Sequence, residues 1–174
     1  HRDLHSFPTR RSSDLKQYAT SIKAYRVLNS QIEKSEYLYE IGRNYAALNN
    51  IDSAILFMKK AILVDSLNDD AYNQLGQYYG QYKDDLKNSI YYLQMATNID
   101  STNISALENL GIAMALSGDN NKSIKILEQA LHLNPEGLSI LRNLGISYFR
   151  AGHKAKADSC FSKAKLLENK SRMQ

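Results

Sequence analysis

Residues with side chains suited to chemistry are few, and they are scattered along the chain. Those that merit weighing after residues 1–15 are His132, His153, Cys160, Asp84, Asp85 and Asp119. Neither histidine has a partner at metal-ligand spacing. The cysteine has no histidine close by in sequence to activate it, and the aspartates lack the spacing of a calcium loop. The sequence therefore predicts no catalytic residue, no metal, no cofactor and no enzymatic activity.

The elements that carry these residues repeat along the chain. Glycine recurs after Ile or Leu at intervals of 34, 35 and 34 residues, at Gly42, Gly76, Gly111 and Gly145. Two ladders of small residues run in phase with it: Ala54, Ser89, Ser123 and Ala157, and then Ala61, Ala96, Ala130 and Ala164. Ladders at one common period of about 34 residues predict a tandem array of two-helix units. A glycine inside a helix persists where a second helix must approach closely, so we expect close glycine contacts within each unit.

Composition agrees with an ordered helical array. The 174 residues are 43% hydrophobic and 23% charged, with two prolines and no tryptophan. The net charge of +4 is spread along the chain without a basic run, so nucleic-acid binding is not predicted. No apolar run reaches the roughly 18 residues needed to cross a bilayer, which predicts no membrane contact by this segment.

Several of these positions together resemble the signature of the tetratricopeptide repeat (TPR) family. The fourth unit carries it most fully, at Leu141, Leu144, Gly145, Tyr148, Ala157, Phe161 and Ala164. The resemblance covers about residues 16–168. It implies an all-α fold, an α-solenoid of helix-turn-helix repeats wound into a right-handed superhelix. It also implies a function in protein–protein interaction.

The repeat period sets the expected boundaries. Before the first complete unit, Tyr18, Ser21, Ile22, Tyr25 and Leu28 fall on one helix face, as in the second helix of a truncated repeat. The predicted segments are a non-native, disordered stretch at 1–15, that second helix at 16–34, four repeats at 35–68, 69–103, 104–137 and 138–168, and a tail at 169–174.

The two ends of the chain differ in their expected origin. Residues 1–15 resemble the translation of a sequencing adapter, which predicts that the native N-terminus is missing. At the other end, charged Asp158 and Lys165 replace the apolar residues of earlier units, as in a capping repeat. The localisation is unknown on this basis; the abundance of Asn, Ile, Lys and Tyr favours a bacterial cytoplasm or periplasm.

The family resemblance implies that the first helix of each unit lines a concave groove for a peptide or partner protein. Carried over position by position, the groove candidates are Tyr39, Arg43, Asn73, Gln77, Glu108, Asn109, Ile112, Arg142, Asn143, Ile146 and Arg150. The favoured function is a protein-interaction scaffold. The alternative is the C-terminal repeat region of a larger enzyme, such as a membrane glycosyltransferase or a sensor kinase. Self-association through the truncated N-terminal end is a further expectation.

Overall fold

The computed structural model describes residues 12–172, which form nine α-helices and contain no β-strand. The helices are α1 (Ser12–Gln31), α2 (Ser35–Ala47), α3 (Ile51–Val64), α4 (Asp69–Tyr82), α5 (Leu86–Ile99), α6 (Ile104–Leu116), α7 (Asn120–Leu133), α8 (Leu138–Arg150) and α9 (Lys154–Arg172). The predicted all-α architecture of helix-turn-helix units is confirmed. The chain divides between Ser66 and Leu67 into two compact units, each larger than one repeat: α1–α3 form the first unit and α4–α9 the second. We call these two parts units, and we call a two-helix repeat a hairpin.

The first unit is a hairpin of α2 and α3, with α1 packed against α2. Its core includes Ile41, Ala54 and Met58, of which none is more than 1% exposed. A Cβ atom added to Gly42 would lie 3.0 Å from the Met58 Cε and 3.2 Å from the backbone oxygen of Ala54. The predicted close approach at this glycine is therefore present.

Helix α1 differs from its prediction in two respects. It begins at Ser12, so Ser12–Leu15 are helical although the sequence pattern placed them in a disordered stretch; the rest of that stretch, residues 1–11, lies outside the described residues. On the predicted inner face, Ile22 is buried, but Leu28 is 43% exposed. Leu28 is exposed because α1 has one main neighbour, α2, whereas helices inside the array pack between two.

The second unit consists of three hairpins, α4–α5, α6–α7 and α8–α9. Each first helix also packs against the second helix of the hairpin before it, α6 against α5 and α8 against α7. The first helices are also neighbours in sequence order, α4 of α6 and α6 of α8. Both ladders of small residues are buried throughout this unit, as predicted. This arrangement places one face of α4, α6 and α8 side by side.

Helix ends follow local sequence rules. Five helices begin after a polar residue whose side chain accepts a hydrogen bond from a backbone N–H three residues on: Asn50, Asn68, Asp85, Asn103 and Asp119. The bond from the Asn88 N–H holds the pKa of the Asp85 carboxyl below its usual value. For Asp119, the side chain of Lys122 and then its backbone N–H lower the pKa of the carboxyl. Helix α3 is capped by Asn50.

Turns between paired helices use the left-handed backbone region. Gly118 and Gly152 have φ values of 89° and 85°, and Asn49 has a φ of 60°. Glycine and asparagine are the residues that adopt this region most readily. These three residues therefore form the turns that follow α2, α6 and α8.

Candidate functional site: the surface of the first helices

The glycine of each first helix lies on the face that packs against the second helix of the hairpin, and the opposite face is turned away from that partner. In the second unit, a Cβ atom at Gly76 would lie 2.4 Å from Leu93 Cγ, and one at Gly111 would lie 2.5 Å from Leu127 Cγ. These glycine sides are closed by the second helices. Side chains on the remaining surface of α4, α6 and α8 form what we call the first-helix surface, defined by Gln77, Asn109, Ile112, Leu116, Asn143, Ile146 and Arg150.

A pair of asparagines links α4 to α6. Asn109 donates a hydrogen bond from Nδ2 to Oδ1 of Asn73 over 2.9 Å, and Asn73 donates from its own Nδ2 to Ser105 Oγ over 3.2 Å. Asn73 is only 3% exposed. Its role is therefore to bridge the two helices, and its place among directly accessible groove residues is not supported by its burial.

Glu108 makes the corresponding link between α6 and α8. One carboxylate oxygen accepts a bond from Asn143 Nδ2 and the other from Ser139 Oγ, each over 3.0 Å. Ser105 and Ser139 are one repeat period apart, so the third and fourth repeats carry a serine at the same register. Sequence reasoning selected Glu108 and Asn143 but missed both serines, and that spacing is the signal from which they were detectable. Most polar side chains along the first helices thus have a hydrogen-bond partner within the protein.

Two apolar depressions lie beside these polar side chains. One, between α4 and α6, has a volume of about 120 Å³, and the other, between α6 and α8, about 130 Å³. Ile112 and Leu116 line both, so they form the ridge that separates them. Leu116 is 64% exposed and Ile146, in the second depression, is 41% exposed. Leu116 was also missed from sequence, although its position four residues after Ile112 puts it on the same helix face.

The arginines of α8 have different surroundings. Arg150 lines the second depression and donates a long bond of 3.4 Å to the backbone oxygen of Ala115. Arg142 instead forms an ion pair with Glu168 of α9. Of the two, only Arg150 lies beside the apolar surface. Gln77, in the first depression, joins it as a polar group at the edge.

The candidates in the first unit lie next to each other on α2. Arg43 pairs with Glu40 over 3.1 Å, and its guanidinium carbon lies 5.8 Å from the centre of the Tyr39 ring. Elsewhere in this unit, Arg26 donates a bond of 2.8 Å to the Tyr45 hydroxyl. Both arginines are therefore held next to an aromatic ring by contacts within the unit.

Of the residues singled out for possible chemistry, His132 and Cys160 line the same recess, between α7 and α9. His132 and His153 are exposed, and Cys160 is half-buried. Within residues 12–172, no group of three or more His, Cys, Asp or Glu side chains has the arrangement of a metal site. Burial raises the pKa of the Cys160 thiol, which keeps it in the unreactive neutral form at neutral pH. Over the same range, no helix has both the length and the hydropathy required to cross a membrane.

Comparison with known proteins supports the family resemblance. Residues 35–66 match the family model described as the tetratricopeptide repeat. Two structures titled as crystal structures of MamA have TM-scores of 0.81 and 0.78 with 24% and 25% identity. They cover 91% of this chain, and the match covers 93% and 86% of theirs.

YrrB, described as a TPR protein with an unusual peptide-binding site, has a TM-score of 0.75 with 18% identity, and the match covers 90% of this chain and 81% of that one. Among curated proteins, none matches. The resemblance to the tetratricopeptide repeat family, first seen in the glycine ladder, is therefore borne out by a matching repeat and by the fold.

Proposed function

We propose that this chain, a protein with the tetratricopeptide repeat fold, is an interaction scaffold that binds a peptide segment of a partner on its first-helix surface. The observation that carries the proposal is the pair of apolar depressions separated by the Ile112 and Leu116 ridge. Neighbouring recesses at successive repeats suit a segment that places an apolar side chain in each. A peptide-binding site in YrrB, which has the same fold, supports this choice.

The energetics favour apolar anchors over recognition of the peptide backbone. Glu108, Asn109 and Asn143 already donate or accept bonds within the protein, so part of their hydrogen-bonding capacity is used before a ligand binds. Leu116 and Ile146, in contrast, expose apolar surface that contributes about 25 cal/mol for each Å² buried. Binding therefore depends chiefly on these two side chains, and Arg150 adds a preference for an acidic residue beside the second anchor.

Selection from a random peptide library displayed on phage tests the proposal, followed by calorimetric titration of the selected peptides. We expect peptides with two apolar residues and a nearby acid. Leu116→Asp and Ile146→Asp replace exposed side chains, so the fold is kept while affinity falls at least tenfold.

Leu166→Asp is the matched control, because Leu166 is a 69% exposed leucine of α9 that lines neither depression. Its affinity should equal that of the unchanged chain. Selected peptides whose affinity is insensitive to Leu116→Asp and Ile146→Asp, or a library that yields no binder, would refute the proposal.

A further inference from the structure

A second and larger recess lies on the other side of the second unit, between α7 and α9. It has a volume of about 510 Å³, and α8 forms its floor through Leu144 and Tyr148. Leu131 of α7 and Cys160 of α9 line the walls. We call this recess the α7–α9 cleft. It shares no lining residue with the two depressions of the first-helix surface, and its volume lies within the range of ligand sites in proteins, roughly 300–1,000 Å³.

Cys160 lines the cleft at a position that holds a larger residue in the two preceding repeats. Cys160 lies one repeat period after Ile126, which itself lies one period after Tyr92. Ile126 is partly buried and packs against two core clusters, one that includes Leu93 of α5 and one that includes Leu144 of α8. A cysteine at the same register fills less of the space between second helices. The fourth repeat therefore has a recess where its sequence departs from the pattern of the others.

Cationic side chains stand at the edges of this apolar floor. Lys156 and Lys163 both line the cleft, and the Lys156 Nζ atom lies 5.2 Å from the centre of the Tyr148 ring. Within residues 12–172, neither lysine forms an ion pair with a carboxylate. The one acidic group of the lining, Glu128, accepts a hydrogen bond from the Tyr148 hydroxyl. The lysine charges are therefore available to a ligand, while part of the negative charge is already bonded.

We propose that the α7–α9 cleft is a second binding site, which takes an acidic peptide segment. A large apolar side chain of that segment packs against Leu131, Leu144 and Cys160. Flanking Asp or Glu side chains pair with Lys156 and Lys163. This choice of ligand follows from charge complementarity above an apolar floor, and the site is independent of the first-helix surface.

A polarisation assay with two sets of fluorescein-labelled decapeptides tests this inference on the full chain. The acidic set contains Asp, Glu, Ser and Gly around a single central Leu or Phe, and the matched set has Lys in place of every Asp and Glu. We expect the acidic set to bind at least tenfold more tightly than the lysine set. Saturating acidic peptide should also slow the reaction of Cys160, the single cysteine of the chain, with N-ethylmaleimide several-fold.

Four variants separate the cleft from general electrostatic attraction. Cys160→Ile restores the side chain of the equivalent position in α7 and should weaken binding at least tenfold, whereas Cys160→Ser keeps the space and should bind as the unchanged chain does. The double change of Lys156 and Lys163 to Glu should abolish binding of the acidic set. Leu166→Asp, at an exposed position of α9 that does not line the cleft, should leave it unchanged.

The inference is overturned if the acidic set does not bind, if the lysine set binds equally well, or if Cys160→Ile binds like Cys160→Ser. It is equally overturned if vesicles containing phosphatidylglycerol, and not the peptides, protect Cys160.

Discussion

Hairpins α6–α7 and α8–α9 are built on the same contact and differ in what surrounds it. In each, a glycine of the first helix lies against a large side chain of the second, Gly111 against Leu127 and Gly145 against Phe161. Leu127 is completely buried, whereas Phe161 is 39% exposed. The contact inside the hairpin is thus repeated, while the burial of its large side chain is not.

Coverage by a further helix explains the difference. Helix α7 packs against both α6 and α8, whereas α9 packs against α8. At matching positions, Ile124 of α7 is 8% exposed, and its counterpart Asp158 of α9 is exposed, as is Lys165. Residue types between the two helices of a hairpin are therefore set by the repeat period. Residue types on the outer face depend on whether a further helix covers that face.

The largest expected effect comes from truncating the buried partner of the glycine. Leu127→Ala should lower the free energy of unfolding by about 2–5 kcal/mol, because it leaves a cavity in a core without solvent access. Phe161→Ala should cost less, about 1–2 kcal/mol, because part of the ring already contacts solvent. Urea denaturation of both variants checks this order. Equal losses would mean that coverage by a neighbouring helix does not distinguish the two hairpins.

Overpacking the same contact should have the next largest effect. A Cβ atom at Gly111 would lie 2.5 Å from Leu127 Cγ, so Gly111→Leu forces the helices apart and should destabilise by roughly 1–3 kcal/mol. Thermal and urea unfolding measure the change. Gly118 serves as the contrast, because a Cβ atom added there would meet no other atom within 4 Å. Gly118→Asn should cost less, since asparagine tolerates the left-handed backbone of this turn. A Gly111→Leu variant as stable as the unchanged chain contradicts the close approach.

Tyr148 distinguishes the fourth repeat from the third, where Met114 occupies the same register. Its hydroxyl donates a hydrogen bond to Glu128, and Tyr148→Phe should therefore cost about 1.5 kcal/mol at neutral pH. Burial first, and then this bond, raise the pKa of Tyr148 above the usual value.

The sign of the pH dependence follows from that shift. Because the neutral phenol is favoured in the folded state, its contribution to stability is complete below the unfolded pKa near 10 and is lost as the pH rises toward the higher folded pKa. Urea midpoints of the unchanged chain and of Tyr148→Phe should therefore converge above pH 10. A constant difference between pH 7 and pH 11 would show that the hydroxyl does not titrate with folding.

The smallest expected effect concerns helix ends. Helix α6 is capped by the side chain of Asn103, which accepts a bond from the Ala106 N–H, whereas α8 begins after Gly137 without a side-chain cap. Asn103→Ala should lower stability by about 1 kcal/mol. Gly137→Ala offers no matching cap to remove, and a Cβ atom there would lie 2.7 Å from Ile140 Cδ1, so any loss has a steric cause. Amide hydrogen exchange at the start of α6 separates the two, since only Asn103→Ala should speed exchange of the Ala106 amide.

The sequence predicted what depends on the repeat period. Gly111 and the ladders that contain Ser123 and Ala130 revealed both the hairpins and their close contacts, because small residues are required at the same register in every hairpin. The cap of α7 by Asp119 is a similarly local feature, since capping joins residues three apart. These features are local or periodic, and a single sequence contains them in full.

Features that depend on pairing between repeats were not predicted. Asn73 was selected as a groove residue, but it is buried and forms hydrogen bonds with Ser105 and Asn109. Arg142 was grouped with Arg150, yet its ion pair with Glu168 directs it toward α9. A position in the repeat fixes the helix face on which a residue lies. It does not fix which long polar side chain finds a partner, because that depends on rotamers and on the neighbouring helix.

The most direct test of the proposed scaffold is a methyl NMR titration of the full chain with a peptide selected from the random library. Ile112 and Ile146 line the two depressions, and the other isoleucines of the second unit provide internal references. The proposal predicts that the methyl signals of Ile112 and Ile146 shift together and saturate at the affinity measured by calorimetry. Signals from both residues that remain unchanged at saturating peptide would contradict it.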